Sequence, residues 1–550
     1  MLQFEAYLDQ QLKTALKALN YPDIEYQFDR PKAEAHGDIS VNLAMLLAKS
    51  LKQNPRQIAQ QIVNALSLDS RQIAKVEIAG PGFINFFLAE AGLQARVPEI
   101  LQGGENYGRF TLGESRPAMV EFVSANPTGP LTVGHGRGAV VGDTVANLLE
   151  WSGYKVTREY YFNDAGRQMR VLGDSVRLRY LELLGEKIDF PEDYYQGEYI
   201  KDIAAKVLQA HGSVLKESAE TDIFKETAVR EIFADINRTL ESMNVRFDSY
   251  FNEMDLYRNG DIDRVIENLK KKNLAYEQDG ALWFKASQFG LEKDRVIVKS
   301  SGEPTYRLPD IAYHIVKFQR QFEIMVDIFG ADHIATYPDV LAGLRASGYD
   351  SSKVKVLIHQ FVTLMEGTEK VKMSTRKANF VTLDELIAEA GGDVTRWFFL
   401  MRSMQSHLNF DLKLAKTHSE ENPVYYNQYA HARICSILRN AEEKGIRCEG
   451  KTGLSASQFA PLREKSEFEL IKKLLEFPKT VYKCALDYEP HLLPLYLSEV
   501  STAFHKFYTE CRVISEDEAL TRARLGLCLA VKTVLGNGFR IVGVSAPERM

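Results

Sequence analysis

Apolar residues recur at helical spacing over residues 2–19 and again over 41–51, with the turn signal His36-Gly37-Asp38 between them. Residues 75–88 change period and read as two strands broken by Gly80-Pro81-Gly82. These signals predict a small α/β module over about residues 1–112. The clearest unit follows. Residues 118–123 form a short apolar strand, and the stretch to Gly138 is a loop rich in Gly and Pro. Residues 140–151 have helical periodicity, and 155–162 return to a strand pattern. Strand, glycine-rich loop, helix and strand make the first crossover of a parallel nucleotide-binding sheet, whose first half spans 113–164. Residues 165–285 read as a mostly helical, charge-rich insertion. Strand signals return at 281–284, 295–298, 324–329 and 354–359, giving a second half of the sheet over 286–384. From 385 to 550 helical periodicity is nearly continuous, as in a bundle.

Composition narrows the class without naming a function. A chain of 550 residues has room for three or four domains and buries ample core without disulfides or a metal. Its 45% apolar and 26% charged residues suit an ordinary folded protein. The net charge of −6 carries no overall nucleic-acid signature, although 68 Lys and Arg leave room for a local basic face. Cys435, Cys448, Cys484, Cys511 and Cys528 contain no CxxC pair. That argues against a zinc site or a disulfide framework and for buried thiols in a reducing compartment. The N-terminal stretch is amphipathic and bears acids, unlike a signal peptide, and no run of about 18 apolar residues stands out. A cytoplasmic protein without a membrane partner is expected.

Two segments carry the chemistry. The first is Thr132-Val133-Gly134-His135-Gly136-Arg137-Gly138. Its glycines allow close backbone approach to a ligand, and the following helix offers its N-terminus to phosphate. No Gly-Lys-Ser/Thr follows, so it is not a Walker loop, and its glycine spacing is not the dinucleotide fingerprint. His135 sits where ligands bind in open α/β sheets, at the carboxyl end of a strand. The second is Lys372-Met373-Ser374-Thr375-Arg376-Lys377, whose cations suit an anionic target such as a transferring phosphoryl group. Alone, each has a plainer reading as a structural turn, a satisfied histidine or a solvated basic loop. Together they favour nucleotide chemistry.

Thr132-Val133-Gly134-His135 resembles the HIGH signature of class I aminoacyl-tRNA synthetases, and Lys372-Met373-Ser374-Thr375-Arg376 resembles their KMSKS loop. EFVSANPTGPLTVGHGRGAVVGD, YYFNDAGRQM (160–169), YRLPDIAYH (306–314), NPVYYNQYAHARI (422–434) and VSAPERM (544–550) resemble the arginine-specific family, the arginyl-tRNA synthetases. GDISVNLAMLLAK (37–49) resembles that family's extra N-terminal domain. The resemblance implies a Rossmann-like catalytic domain with a helical insertion, a small α/β N-terminal domain that touches the tRNA elbow, and an all-helical anticodon-binding domain. It implies ATP, with Mg2+, as the cosubstrate, and arginine and its tRNA as the other partners of a monomeric ligase. The arginine carboxylate attacks the α-phosphate of ATP and pyrophosphate leaves; the terminal ribose of tRNA then attacks the arginyl-adenylate, releasing AMP. Such a reaction needs positioning and charge stabilisation rather than a covalent intermediate.

The resemblance also assigns residues. His135, Lys372, Ser374 and Thr132 map to catalytic positions. Gly134, His135, Gly136, Lys372, Met373 and Arg376 map to ATP contacts. Glu121, Ser124, Asn126, Tyr306, Asp310 and His333 map to the arginine pocket. Asn42, Tyr426, Tyr429 and Met550 map to tRNA contacts. No protein metal ligand is implied. The residue types agree with that pocket, since a guanidinium calls for carboxylate in fork geometry and an aromatic face. Glu121 is a charge inside an apolar strand, which requires a cation, either a ligand or an internal partner. Asp310 otherwise reads as a helix N-cap after Pro309, and the tyrosines as core.

Two positions depart from the family pattern. Thr132 stands where HIGH begins with His, and Thr375 replaces the second KMSKS lysine. Arg137, Arg376 and Lys377 are nearby cations able to substitute for the missing charge. The departures motivate two other readings: a catalytically silent tRNA-binding paralogue, and a class I enzyme for a different amino acid.

Overall fold

The computed structural model describes residues 1–31, 33–217, 222–367, 369–370, 381–446 and 454–550. Helices Leu2–Ala18, Leu43–Leu51 and Pro55–Ala65 accompany an antiparallel sheet in the order Phe28–Asp29, Ile39–Val41, Phe83–Leu88, Ile73–Ala79. Phe4, Leu8 and Leu12, one face of the first helix, are buried in its core. The second helix starts at Leu43, because 39–41 pairs as a strand between two others.

The centre is a parallel sheet of five strands: β1 (Pro117–Glu121), β2 (Lys155–Phe162), β3 (Ser249–Asn252), β4 (Ile324–Gly330) and β5 (Val354–His359). Their spatial order is β5-β4-β1-β2-β3. The chain leaves β1 in one direction along the sheet and later returns to β4 on its other side. The crevice beyond the carboxyl ends of β1 and β4 is therefore the topological switch point where ligands bind. Helix α1 (Val133–Trp151) crosses from β1 to β2, and α2 (Arg307–Gln319) leads into β4.

Three boundaries differ from the sequence reading. Helix α1 begins at Val133 rather than 140, so the glycine-rich signature forms its first turns. The insertion's helices, Gly166–Leu183, Glu198–His211 and Asp222–Ser242, pack on one another, but β3 then rejoins the parallel sheet inside the stretch read as insertion. Its four residues, Ser-Tyr-Phe-Asn, have no apolar run to betray them. The segments at 281–284 and 295–298 form strands, yet they belong with Ala275–Gln278 to a separate antiparallel sheet in which 281–284 lies between the other two.

After the catalytic sheet, Leu408–Asp411 adds a strand beside Val362–Glu366 within the stretch expected to be helical. The remainder is a bundle built from Pro423–Glu443, Lys465–Leu474, Phe477–Leu486, Leu492–Glu510 and Glu518–Val542. Among the described residues this last helix alone is long and apolar enough to cross a bilayer. Here 72% of its most apolar window is buried inside the protein.

The bundle is fastened to α1 by buried polar groups. Arg396 donates to the carbonyls of Val542 (2.8 Å) and Met243 (2.7 Å) and to Asp143 on α1 (2.6 Å). Asn147, one turn further along α1, donates to the Ile541 carbonyl at 2.9 Å. Removing the Arg396 guanidinium leaves two carbonyls without this donor and Asp143 with Arg158, 3.4 Å away, as its remaining cation, at a cost of ~1–3 kcal/mol for each group left unpaired. Arg396→Met is therefore expected to lower the urea midpoint clearly. Arg396→Met/Asp143→Leu, which removes both charges, is expected to recover part of that loss in the same titration.

Candidate active site

A cavity of about 910 Å³ opens at the switch point. Thr132, Gly134 and His135 line one side, and Glu121, Ser124, Asn126, Tyr306, Asp310 and His333 line the rest. The glycine-rich segment and the Tyr306–Asp310 segment, far apart in sequence, thus share one chamber, because α1 and α2 flank adjacent strands.

The phosphate-like end is the start of α1. The first described intrahelical bond there runs from the Gly136 N–H to the Thr132 carbonyl (3.1 Å). Of the preceding N–H groups, that of His135 is met by the Thr132 side chain in a capping box, and those of Val133 and Gly134 are left for a ligand. The glycines divide their roles. A Cβ on Gly136 would lie 2.5 Å from Leu383 Cδ1, and one on Gly138 would lie 3.0 Å from His359 Nε2. Both therefore permit helix packing, and Gly136 is not among the residues that line the cavity. Gly134 meets only the Thr132 hydroxyl, at 3.6 Å, and faces the cavity.

His135 Nδ1 accepts the Thr132 backbone N–H at 3.1 Å. A neutral ring then carries its proton on Nε2. Burial pushes the imidazole below its ordinary range, which keeps that neutral form. His359, at the end of β5, is pushed down to about 4 by burial and also lines the chamber. Arg137 does not substitute for the missing first histidine by contact. It is fully buried and donates to the carbonyls of Gln360 (2.7 Å), Ser403 (2.9 Å) and Ser406 (3.0 Å).

The opposite end is acidic. Asp310 lies in the first turn of α2, not at its N-cap, because the helix already starts at Arg307. Its carboxylate makes no hydrogen bond among the described residues, and burial pushes it up to about 7. Glu253 accepts from Tyr161 at 2.8 Å and is raised by burial. Tyr306 stands at the rim, 55% exposed. Glu121 has an internal partner: Lys317 Nζ lies 2.6 Å from its Oε2 and 2.6 Å from Asp327 Oδ1. Its other oxygen accepts from Ser124 at 3.0 Å. Val123 (φ 66°) and Ser124 (φ 45°) are both left-handed, a strained conformation for a β-branched residue, and they end β1 with this turn. Asn126 accepts the Asn163 N–H (3.0 Å) and donates to Gln168 (3.1 Å), bracing the loop. His333 stacks on Phe329 at 5.1 Å between ring centroids.

Comparison with known proteins accords with this geometry. Residues 96–401 match the catalytic domain of class I (R) tRNA synthetases, residues 6–88 the arginyl tRNA synthetase N-terminal domain, and residues 427–550 the DALR anticodon binding domain. The chain belongs to the arginyl-tRNA synthetase family. An arginine–tRNA ligase of Desulfotalea psychrophila is 52% identical over 96% of this chain and 95% of its own length. Another, from Salinibacter ruber, is 50% identical over 99% and 100%. The fold resembles that of Thermus thermophilus arginyl-tRNA synthetase, with a TM-score of 0.76, 23% identity, and coverage of 99% and 100%.

For this arginyl-tRNA synthetase family member, Lys372, Met373, Ser374 and Arg376 lie outside the described residues, as does Thr375. The flanks of that loop are placed: Thr382 bridges to Thr132, and Val381 lines the chamber. Of the expected tRNA contacts, Asn42 sits at the start of helix Leu43–Leu51 beside Asp9, Asp23, Glu25 and Asp29, in a cavity of about 730 Å³. Tyr426 and Tyr429 are half-buried on helix Pro423–Glu443. His505 lies 4.9 Å from the Tyr426 ring centroid, and Arg433 lies 4.7 Å over Tyr429. Met550 is 53% exposed. None of these four shares the catalytic chamber. Sequence reasoning missed Tyr161, Glu253, His359 and the Lys317 group. A basic stripe at His314, Lys317 and Arg320 on an otherwise apolar helix was the available signal for the last.

The glycine geometry makes a prediction. Gly134→Ala adds a Cβ in open space and gains up to ~1 kcal/mol of helix preference, so its thermal midpoint is expected to stay level or rise while ATP affinity falls. Gly136→Ala collides with Leu383 and is expected to lower the midpoint, by an overpacking cost of ~1–3 kcal/mol. Thermal denaturation with and without ATP separates the two.

Proposed function

We propose that this chain, an arginine–tRNA ligase by family, binds arginine and ATP side by side in the switch-point chamber. There the arginine carboxylate attacks the α-phosphate and pyrophosphate leaves, and the arginyl group then passes to the tRNA terminal ribose with release of AMP. The observation that carries the reading is the charge asymmetry of one cavity: a helix start and neutral histidines at one end, and buried acids at the other.

In this reading Asp310 and Glu253 receive the planar guanidinium, and Tyr306 covers it at the rim. Glu121, Ser124 and Asn126 hold the α-amino end, and His333 closes the side. Gly134 and His135 meet the phosphates, with His135 Nε2–H as a neutral donor. Thr132 supports His135 through its backbone N–H, a role that a threonine fills as well as a histidine. Lys372, Met373, Ser374 and Arg376 complete the nucleotide site from the loop anchored at Val381 and Thr382. Mg2+ is expected to accompany ATP. It would be carried on the phosphate oxygens of ATP. Asn42, Tyr426, Tyr429 and Met550 are assigned to tRNA, with unstacked anticodon bases against the tyrosines. The proposal extends to a cytoplasmic monomer.

The test is ATP–pyrophosphate exchange with arginine, with and without tRNA, beside charging of mixed tRNA with each amino acid. Exchange absent in both conditions sinks the reading in favour of a silent tRNA binder. Charging with another amino acid redirects it. Two outcomes follow from the acids. Asp310 takes up a proton as pH falls below about 7, so the arginine KM is expected to rise on the acid side. Asp310→Asn is expected to raise that KM about 30-fold or more and to flatten its pH dependence, since losing one partner of a desolvated charge pair costs ~2–5 kcal/mol. His135→Ala is expected to lower the exchange kcat about 10²–10³-fold, as loss of one preorganised donor does. Thr132→Val keeps the N–H and is expected to lose less than about tenfold, or ~1.4 kcal/mol.

A further inference from the structure

Asp327, Glu121 and Glu159 are in register across the adjacent strands β4, β1 and β2. All three are buried. Carboxylates side by side in a sheet repel and lose hydration, so the row needs cations. Helix α2 supplies them at a spacing of three: His314, Lys317 and Arg320. Arg320 lies 2.7 Å from Glu159, and Tyr313 donates to the same carboxylate at 2.7 Å. His314 Nε2 lies 2.8 Å from Asp327, and its Nδ1 lies 2.7 Å from the Asp310 carbonyl. Lys317 alone reaches the middle of the row, bridging Glu121 and Asp327 with its ammonium 4.4 Å over the Tyr313 ring.

We propose that Lys317 is a positioning residue for amino-acid recognition: it holds the Glu121 carboxylate in one orientation for the substrate's cationic end. The inference rests on the reading of the chamber as the arginine site. Lys317 lines no part of the cavity, whereas Glu121 and Asp327 do, so its influence passes through them. Burial pushes Glu121 up and Asp327 adds to that, while Lys317 pulls it down. Burial also opposes the charge on Asp327, but Lys317 and His314 outweigh it and hold Asp327 below the usual carboxylate range. The groups facing Glu121 are Glu159 and Tyr161 from β2, Asp327 from β4, Asp310, Tyr313, His314 and Lys317 from α2, and Glu253 beyond them. Only Lys317 and His314 among these are cationic when charged, and the ammonium of Lys317 is the one that touches Glu121. Without it, Glu121 and Asp327 face each other as like charges, and one must take up a proton.

The test is Lys317→Met in arginine-dependent ATP–pyrophosphate exchange with tRNA present, followed across pH. Exchange by the unaltered enzyme checks the underlying reading separately. The arginine KM of Lys317→Met is expected to rise at least about tenfold, and its ATP KM to stay within about twofold. The acid limb of kcat/KM for arginine, set by Asp310 in the unaltered enzyme, is expected to be overtaken by one set by Glu121 and about one pH unit or more higher. Lys317→Met/Asp327→Asn, which removes the like charge, is expected to move that limb back towards the original. Should Lys317→Met fail to fold, Lys317→Met/Asp327→Leu serves instead, because apolar replacement of a buried pair is often neutral in stability. Glu121 then keeps no like-charged partner, and its acid limb is expected to stay near that of the unaltered enzyme while the arginine KM rises. An unchanged arginine KM in either folded variant overturns the proposal. So does a loss that raises both KM values together and is independent of pH.

Discussion

Three carboxylates lying abreast inside a parallel sheet govern much of this architecture. A sheet buried on both faces has no water to spend on Asp327, Glu121 and Glu159, so α2 must lie across them with its basic side turned inward. That requirement fixes the rotation of α2 about its axis. Once His314, Lys317 and Arg320 meet the row, the first turn of the same helix carries Asp310 and Tyr306 to the crevice. The recognition end of the chamber is thus aligned by charge compensation one to three turns away.

Helix α1 has the complementary role. Its first turn faces the phosphate end, its glycines let Leu383, Phe399 and His359 come close, and its middle holds Asp143 and Asn147 against the helical bundle. One rigid element therefore joins the nucleotide end of the chamber to the region that carries Tyr426 and Tyr429. The Thr132–Thr382 bridge adds the downstream flank of the basic loop to the same helix start.

Much of this was legible in the sequence, and the exceptions have physical causes. Strand–glycine loop–helix–strand announced the parallel sheet because hydrophobic period and turn chemistry agree over residues 117–162. The motifs named the family and led to Glu121, Asp310, Tyr306 and His135, which the structure gathers in one cavity. Periodicity failed at β3, where pairing with β2 makes a strand of a short polar–aromatic segment, and at 133–139, where glycines tolerated for tight packing imitate a loop. The cation that Glu121 requires is a lysine almost two hundred positions away, a pairing that only tertiary structure creates. Glu253 and His359 belong to no motif that was read, and enter the chamber because β3 and β5 end there.

The Arg137 guanidinium donates only to carbonyl oxygens, through its two terminal nitrogens, while its buried Nε has no partner and no carboxylate lies beside it among the described residues. Burial lowers it only to about 10, so it stays protonated at neutral pH. A full positive charge is thereby built into the second turn of α1 with no counter-ion to cancel it. In a medium of effective dielectric ~20, a unit charge ~10 Å from a phosphate is worth about 1.7 kcal/mol. A chain that begins its signature with an uncharged threonine can still present a standing electropositive potential to a polyanion, screened little by salt because its source lies in the interior.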